Sequence, residues 1–234
     1  MEWTMKITGE LHKGVFLRRL NRFVAEVEVN NEKHLAHVAD PGRMKELLVP
    51  KTEVLLRKIN LNEKRKTNWD MLGVYTLNGL VSVDSRLPND LIAEALKDSQ
   101  LKEFSEYELV RREYTYNSSR FDFLLQSKEK QCLLEVKSCT LVKNGHAFFP
   151  DAPTIRGRRH LLELIKAKHE GYRACVIFVI QRNDASVFSP NDEIDPRFGD
   201  ALRLAASGSV EVFAYRCEVT ETSIELKEQV EIVL

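Results

Sequence analysis

The sequence predicts an α+β protein in which a barrel of short β-strands precedes a domain of mixed helices and strands. Short runs with strand character fill residues 6–84, whereas residues 89–180 follow the order α-β-β-β-α-β. The chain has 234 residues, 43% of them hydrophobic, so it can form one large domain or two small ones. Because the stretch with linker character is 85–88, we divide the chain into residues 1–84 and 85–234.

The first domain is predicted to consist of short strands with one helical turn. Residues 23–29 alternate apolar and polar side chains, as a strand with one buried face does. Asp40-Pro41-Gly42 is a turn signal, and the helical turn over 43–48 follows it. Many short strands with a helical segment inserted midway indicate a small Greek-key barrel of the OB type. The predicted strands are 15–19, 23–29, 34–39, 53–59, 71–76 and 80–84.

The second domain is predicted to mix helices with strands. Asn89 after Pro88 is a helix-start signal, and Gly171 ends a long helix. The continuously apolar run 174–180 is typical of a strand buried on both faces. The predicted helices are 89–97, 154–170 and 196–206, and the predicted strands are 108–116, 120–126, 132–138, 174–180, 210–215 and 223–226.

A predicted hairpin in this domain carries two acids and a lysine. Asp122 lies in its first strand, and Glu135 and Lys137 lie in its second, beyond the polar turn 127–131. Side chains alternate along a strand, so Glu135 and Lys137 share one face. A symmetric five-residue loop would pair Asp122 with Val136 and turn Asp122 to the other face. A loop of even length, or a bulge, would place it beside Glu135.

These residue types suit Mg²⁺, or Mn²⁺, beside a phosphodiester. Mg²⁺ is held by one or two carboxylates, waters and substrate phosphate oxygens. A bound metal polarises a phosphoryl oxygen and supplies hydroxide near neutral pH. We therefore predict Asp122, Glu135 and Val136 as metal ligands, and Lys137 as the residue that orients water or offsets charge on phosphorus. A salt-bridged hairpin without a metal is the alternative.

The helix and strand order, together with Asp122 and the Glu-x-Lys motif, resembles the PD-(D/E)XK, or restriction-endonuclease-like, nucleases. The chain resembles one family more closely, that of sugar fermentation stimulation protein A (SfsA). The resemblance implies an N-terminal OB-like domain, a nuclease-like C-terminal domain and DNA binding; the family's name implies a regulatory association rather than a sugar substrate. The motifs that carry it are Ser119-Arg120-Phe121-Asp122-Phe123, Glu135-Val136-Lys137-Ser138 and Phe149-Pro150-Asp151-Ala152-Pro153-Thr154 with the following Arg156, Gly157 and His160.

Two further carboxylates are candidate catalytic residues. Glu94 lies on the first helix of the second domain, and Glu113 lies on the strand before Asp122. Several nucleases of the superfamily that the chain resembles have a carboxylate on this helix that points at the metal held by the hairpin. An exposed surface glutamate is the alternative for each.

Charge is distributed unevenly along a chain whose net charge is zero. Residues 1–80 hold 14 Lys and Arg against 10 Asp and Glu, whereas residues 184–234 hold 4 against 11. A neutral protein with separate basic and acidic zones can present a face that attracts phosphate. A mixed surface without such a face is the alternative.

Nucleic-acid contacts are predicted at the start of the long helix and around the Asp40-Pro41-Gly42 turn. A helix N-terminus attracts phosphate, and arginine binds it with two hydrogen bonds. Base stacking is a further prediction for Trp3, Trp69 and Tyr75, with burial as the alternative; the segment 64–66 is an exposed basic loop. The predicted nucleic-acid-binding residues are Arg120, Arg156, Arg159, His160, Arg43 and Lys45. A second interpretation of His160 is a general base.

The remaining features favour a cytoplasmic protein. No run approaches the roughly 18 apolar residues of a membrane span, and the first residues lack the apolar core of a signal peptide. The cysteines form no C-x-x-C pair, so we interpret them as reduced core residues rather than as disulfides or a zinc site. They are Cys132, Cys139, Cys175 and Cys217.

Two functions follow from this sequence. The first is a nuclease that hydrolyses phosphodiester bonds in DNA, single- or double-stranded, with Mg²⁺ or Mn²⁺. The second is a DNA-binding regulator of sugar-utilisation genes that keeps a nuclease-like fold without cleaving. Whether the chain is a monomer or a homodimer stays open at this stage.

Overall fold

The computed structural model describes residues 4–60 and 66–234. Trp3, Lys64 and Arg65, which the sequence singled out, lie outside these residues. Within them the chain forms three β-sheets and three α-helices. The predicted α+β fold, a barrel followed by a domain of αβββαβ order, is confirmed.

The strands are β1 (Met5–Lys6), β2 (Glu10–Asn21), β3 (Val24–Val29), β4 (Glu32–Val38), β5 (Glu53–Lys58), β6 (Trp69–Thr76), β7 (Gly79–Ser82), β8 (Glu108–Tyr116), β9 (Ser119–Gln126), β10 (Gln131–Cys139), β11 (Val142–Lys143), β12 (His146–Phe149), β13 (Arg173–Ile180), β14 (Val187–Pro190), β15 (Glu211–Val219), β16 (Ser223–Gln229) and β17 (Glu231–Ile232). The helices are α1 (Leu87–Lys97), α2 (Ile155–His169) and α3 (Pro196–Ser207).

The barrel is a sheet of order β4-β3-β2-β5-β6-β7 that closes through parallel pairing of β4 with β6. Every second residue of β3 is buried, which is the alternation that the sequence predicts. Apolar side chains fill the interior, and Trp69 is among them. The predicted helical turn after β4 is a single turn, in which the amides of Leu47 and Leu48 both donate to the Met44 carbonyl.

The second domain is built on a seven-stranded mixed sheet of order β1-β16-β15-β13-β10-β9-β8. Its central strands β10, β13 and β15 run parallel, and the outer pairs are antiparallel. Helix α1 packs on one face through Leu91, and helices α2 and α3 pack on the other through Leu161 and Leu202. Strand β1, from the residues assigned to the first domain, pairs with β16 at the sheet edge.

A third, smaller sheet was not predicted. It has the order β11-β12-β14-β17 and consists of strands of two to four residues. Strand β12 leads through residues 150–154 into α2, where the Thr154 hydroxyl caps the helix by accepting from the Gly157 amide at 3.0 Å. This sheet therefore positions the first turn of α2 beside the hairpin.

All four cysteines are buried and form no disulfide. Among the described residues, no helix is both long and apolar enough to span a membrane.

Candidate active site

The β9–β10 hairpin brings Asp122 next to Glu135. Gln131 pairs with Gln126, so the turn contains the even number of residues that a shared face requires. The ladder ends at the pair Phe123 and Leu134. There Asp122 Oδ2 accepts a hydrogen bond of 2.8 Å from the Val136 amide, in place of a strand–strand bond.

The Glu135 carboxylate is buried, and its two oxygens differ in their contacts. Oε1 accepts from the Lys137 ammonium and from His160 Nδ1, the latter at 2.6 Å. Oε2 is equally buried but has no hydrogen-bond partner among the described residues. A buried carboxylate oxygen without a donor is costly unless a cation or water fills the place.

His160 orients Glu135 from α2. Its Nε2 accepts from Arg156 Nε at 3.3 Å, and because arginine can only donate, Nδ1 carries the proton that is donated to Glu135. The ring is buried, with Phe121 at a centroid distance of 5.5 Å. His160 therefore positions a carboxylate and is not a surface phosphate contact as the sequence suggested.

Asp122 is held from α1 by a residue that sequence reasoning missed. Asn89 Nδ2 donates to Asp122 Oδ1 at 2.6 Å. The sequence marked Asn89 only as part of a helix start. The first turn of α1 thus contributes an amide to the site, where a glutamate had been expected from the same helix.

Burial and neighbouring charges separate the pKa values of the two carboxyl groups. Burial, reinforced by the charge of Glu135, raises the pKa of Asp122 from 3.8 to about 6. Burial also acts to raise the pKa of Glu135, but Lys137 and His160 outweigh it and hold that pKa below its ordinary value. Of the two carboxylates, Asp122 is therefore the one whose negative charge is not balanced by a neighbouring cation.

The site opens into a cleft of about 950 Å³ between the two domains. The acidic hairpin forms one wall, and the loop after β4 forms the other. Three predicted nucleic-acid-binding residues, Arg43, Lys45 and Arg156, line it, as do Arg19 and Arg22, which the sequence had not singled out. The cleft thus carries more basic than acidic side chains, and its carboxylates are those of Asp40, Asp122, Glu135 and Asp151.

The loop over residues 40–45, here called the roof loop, is held in place by hydrogen bonds from Arg19. The Arg19 guanidinium donates to the carbonyls of Asp40 and Gly42 at 2.7 and 2.5 Å. From the second domain, Asp151 Oδ2 accepts from the Met44 amide at 3.0 Å. A Cβ at Gly42 would lie 2.6 Å from that carboxylate oxygen, so a larger residue there would have to displace the Asp151 side chain.

Four predicted residues lie outside the cleft. Glu113 has a left-handed φ of 54°, which turns it to the surface, where it forms an ion pair of 3.4 Å with Arg120. Glu94 follows Asn89 by five residues and so lies on another side of α1. Arg159 is exposed on α2. The cleft therefore gives no support to catalytic roles of Glu94 and Glu113, and DNA contacts by Arg120 and Arg159 stay predictions.

The aromatic residues predicted to stack bases have other contacts. Trp69 is buried in the barrel, with the ring of His12 at 5.0 Å. The Tyr75 hydroxyl donates to Glu221 at 2.7 Å, and Lys13 lies over its ring. Neither ring faces the cleft.

The donor set of the site fits a magnesium-like cation. No group of three or more His, Cys, Asp or Glu side chains suited to a metal occurs in the part of the chain that the structure describes. Mg²⁺, however, commonly takes only one or two carboxylates from the protein and completes its shell with water and phosphate. Asp122 with the unpartnered Oε2 of Glu135 supplies such a pair.

Comparison with known proteins covers the whole chain. Residues 17–83 match the SfsA N-terminal OB domain, and residues 86–223 match the sugar fermentation stimulation protein RE domain. Sugar fermentation stimulation protein homologs of Caldanaerobacter subterraneus subsp. tengcongensis and Clostridium perfringens are each 47% identical, over 98% of this chain and 100% of their own lengths. The structure of Pyrococcus furiosus SfsA in complex with Ca²⁺ matches with a TM-score of 0.92 and 27% identity over 100% of both chains. The chain belongs to the sugar fermentation stimulation protein family, SfsA, and combines its OB domain with its restriction-endonuclease-like domain.

Proposed function

We propose that this protein binds DNA in the cleft between its domains and hydrolyses phosphodiester bonds there with Mg²⁺ or Mn²⁺. The observation that carries the proposal is the buried, unpartnered Oε2 of Glu135 beside Asp122. The Ca²⁺ in the related Pyrococcus furiosus structure supports it, because Ca²⁺ also prefers oxygen ligands.

Asp122 and Glu135 would hold the metal ion. When bound, the ion would polarise a phosphoryl oxygen and lower the pKa of a coordinated water. Asn89 and the Val136 amide keep the Asp122 carboxylate in place, and His160 does the same for Glu135. These hydrogen bonds mean that the two carboxylates need little reorganisation on binding.

Lys137 acts at the scissile phosphate. It lines the cleft and its ammonium lies against Glu135 Oε1. From there it can donate to a phosphate oxygen or to the attacking water, where its benefit grows as negative charge develops in the transition state.

The cations of the cleft bind the DNA backbone. The side chains of Arg22, Arg43 and Lys45 form no hydrogen bond or ion pair with any residue that the structure describes. Exposed cations without acidic partners around a cleft suit phosphate groups, and binding of this kind weakens steeply as salt rises.

A metal-dependent cleavage assay tests the proposal. End-labelled single-stranded and duplex DNA are incubated with the full chain in Mg²⁺, Mn²⁺, Ca²⁺ or EDTA, and DNA binding is measured in parallel. We expect cleavage with Mg²⁺ or Mn²⁺ that disappears in EDTA and in Glu135→Gln. Glu113→Gln, at the exposed glutamate outside the cleft, is the control and should cleave like the native chain.

The same assay separates cleavage from binding alone. If the native chain binds DNA but cleaves none with any metal, the nuclease proposal fails and the non-cleaving DNA-binding regulator replaces it. If Glu113→Gln loses activity together with Glu135→Gln, the site has been placed wrongly.

A further inference from the structure

We propose that the cleft takes a single strand of DNA, whose bases stack on Phe148 in the second domain and on Phe23 in the barrel. This inference rests on the proposed function and names its substrate class. Three observations support it: the contacts that cross the cleft, two partly exposed aromatic rings, and the cations without acidic partners between the domains.

The roof loop crosses the cleft beside Lys137. Ser138, the next residue, donates its hydroxyl to Asp40 Oδ2 at 3.4 Å, and Asp151 binds the Met44 amide. The loop is therefore attached to the second domain at two points that flank the active site. A duplex could reach Lys137 only if these contacts opened, whereas a single strand can be threaded beneath them.

The size of the cleft agrees with this restriction. About 950 Å³ lies at the upper end of the roughly 300–1,000 Å³ that small-molecule sites occupy. Such a space suits a few nucleotides.

Phe148 offers a stacking surface on the second domain. It lines the cleft and is only partly buried, with the His146 ring stacked on it at 4.3 Å and an interplanar angle of 14°. The next residue, Phe149, packs instead against Phe178 and Phe198 at 5.4 and 5.1 Å. The Lys143 ammonium also lies over the Phe148 ring, 5.9 Å from its centroid, and the side chain is still partly exposed in the cleft lining.

Phe23 offers a second surface on the barrel. Its side chain is 48% exposed although its backbone is fixed, because its amide donates to Asn21 Oδ1 and its carbonyl accepts from the Val38 amide. Asn21 and Arg22, just before it, line the cleft, and Phe23 itself stands outside that lining, so it would take a base where the strand leaves the cleft. The loop between the first two barrel strands is one that OB folds use to bind oligonucleotides.

The charges complete a binding surface for a single strand. Proteins that bind single-stranded DNA combine a basic groove for the backbone with aromatic rings for the bases. Arg22, Arg43 and Lys45 supply the basic part, and Phe23 and Phe148 supply the rings. Each base stacked on an aromatic ring contributes enough that its removal weakens binding by about 5- to 150-fold.

Binding of the full chain to a labelled oligodeoxynucleotide tests this inference. Affinity is measured in the presence of Ca²⁺ for the single strand and for the same strand annealed to its complement. The native chain is compared with Phe23→Ala and with Phe148→Ala. We expect the single strand to bind more tightly than the duplex, and each alanine variant to lose single-strand affinity by about 5- to 150-fold. Leu77→Ala, at an exposed apolar residue outside the cleft, is the matched control.

Tryptophan variants distinguish stacking from a general structural effect. Phe23→Trp and Phe148→Trp should restore affinity, and a fluorescent purine analogue in the strand should be quenched by the native chain and by these variants but less by the alanine variants. Duplex binding equal to or tighter than single-strand binding, or alanine variants that bind like the native chain, would overturn the inference and leave the proposed nuclease standing. Absence of binding to either DNA would overturn both.

Discussion

Glu135 presents one satisfied and one unsatisfied oxygen at the end of a buried strand. Two donors hold Oε1, whereas nothing in the described chain donates to Oε2. A carboxylate oxygen that is buried without a hydrogen-bond donor lowers the stability of the folded protein. Unfavourable features of this kind are found where a functional site requires them. The residue therefore favours a cation over a purely structural ion pair with Lys137.

Replacing Asp122 by asparagine should stabilise the metal-free protein while removing its response to a divalent cation. The pKa of the Asp122 carboxyl group is 3.8 in the unfolded chain and about 6 in the folded protein. The free energy of unfolding therefore falls as the pH rises through this window. Above it the ionised carboxylate costs on the order of 3 kcal/mol, at 1.36 kcal/mol per pKa unit. Thermal unfolding in EDTA should show a higher Tm for Asp122→Asn at about pH 8, and a much smaller difference at about pH 4.

Added Ca²⁺ is the second arm of that measurement. It should raise the Tm of the native chain and leave that of Asp122→Asn unchanged, because ligand binding stabilises only the state that binds it. A variant less stable than the native chain at both pH values would mean that Asp122 serves as a structural acceptor for Asn89 and Val136.

Replacing Lys137 by alanine should abolish cleavage and leave DNA affinity nearly unchanged. The ammonium is assigned to charge that develops in the transition state, so its loss should appear in the rate and not in ground-state binding. Cleavage and binding are measured on the same DNA. Equal proportional losses of both would make Lys137 one more phosphate contact.

The sequence predicted the residues that share one local hairpin and failed where a role depends on tertiary placement. Asp122, Glu135 and Lys137 could be singled out because strand alternation relates them directly. Glu113 was misplaced by its left-handed backbone, which no spacing reveals. Asn89 was missed because its contact with Asp122 spans 33 residues and depends on how α1 packs.

At the scale of elements, the longer strands and helices were predictable and the third sheet was not. A periodicity needs several residues to be visible, and β11, β12, β14 and β17 have two to four each. Yet this sheet sets the position of Phe148 and of the segment that carries Asp151. The cleft is thus lined both by the sheet that was not predicted and by the hairpin that was.

A side chain at Gly42 in the roof loop should lower the stability of the protein. A Cβ there would lie 2.6 Å from Asp151 Oδ2 and 2.8 Å from Asp40 Oδ1, so Gly42→Ala must displace a carboxylate. We expect a loss of about 1–3 kcal/mol in the free energy of unfolding, measured with urea.

A double-mutant cycle locates that cost. Asp151→Ala removes the clash with that carboxylate and leaves the one with Asp40, so Gly42→Ala should cost less in that background than in the native chain. Equal costs in both backgrounds would place the effect in the backbone of the loop instead of in its contact with the second domain.

At the scale of the whole molecule, the cations that line the cleft should contribute more to DNA binding than those outside it. Arg43→Gln and Lys45→Gln should each reduce the salt dependence of single-strand binding by about 0.7 in the slope of log K against log salt. Arg159→Gln, at an exposed arginine of α2 outside the cleft, should leave the slope unchanged. A smaller slope in all three would indicate that the surface attracts DNA as a whole.

The pairing of β1 with β16 has a consequence for how the molecule can be divided. Because Met5–Lys6 pairs at the edge of the large sheet before the chain enters the barrel, strands of that sheet lie on both sides of the barrel in the sequence. Excising residues 1–84 would expose the backbone donors and acceptors of β16, a free sheet edge of the kind that pairs with other chains. The isolated second half should therefore self-associate, whereas a chain that keeps the first strand and replaces the barrel by a short connection should not.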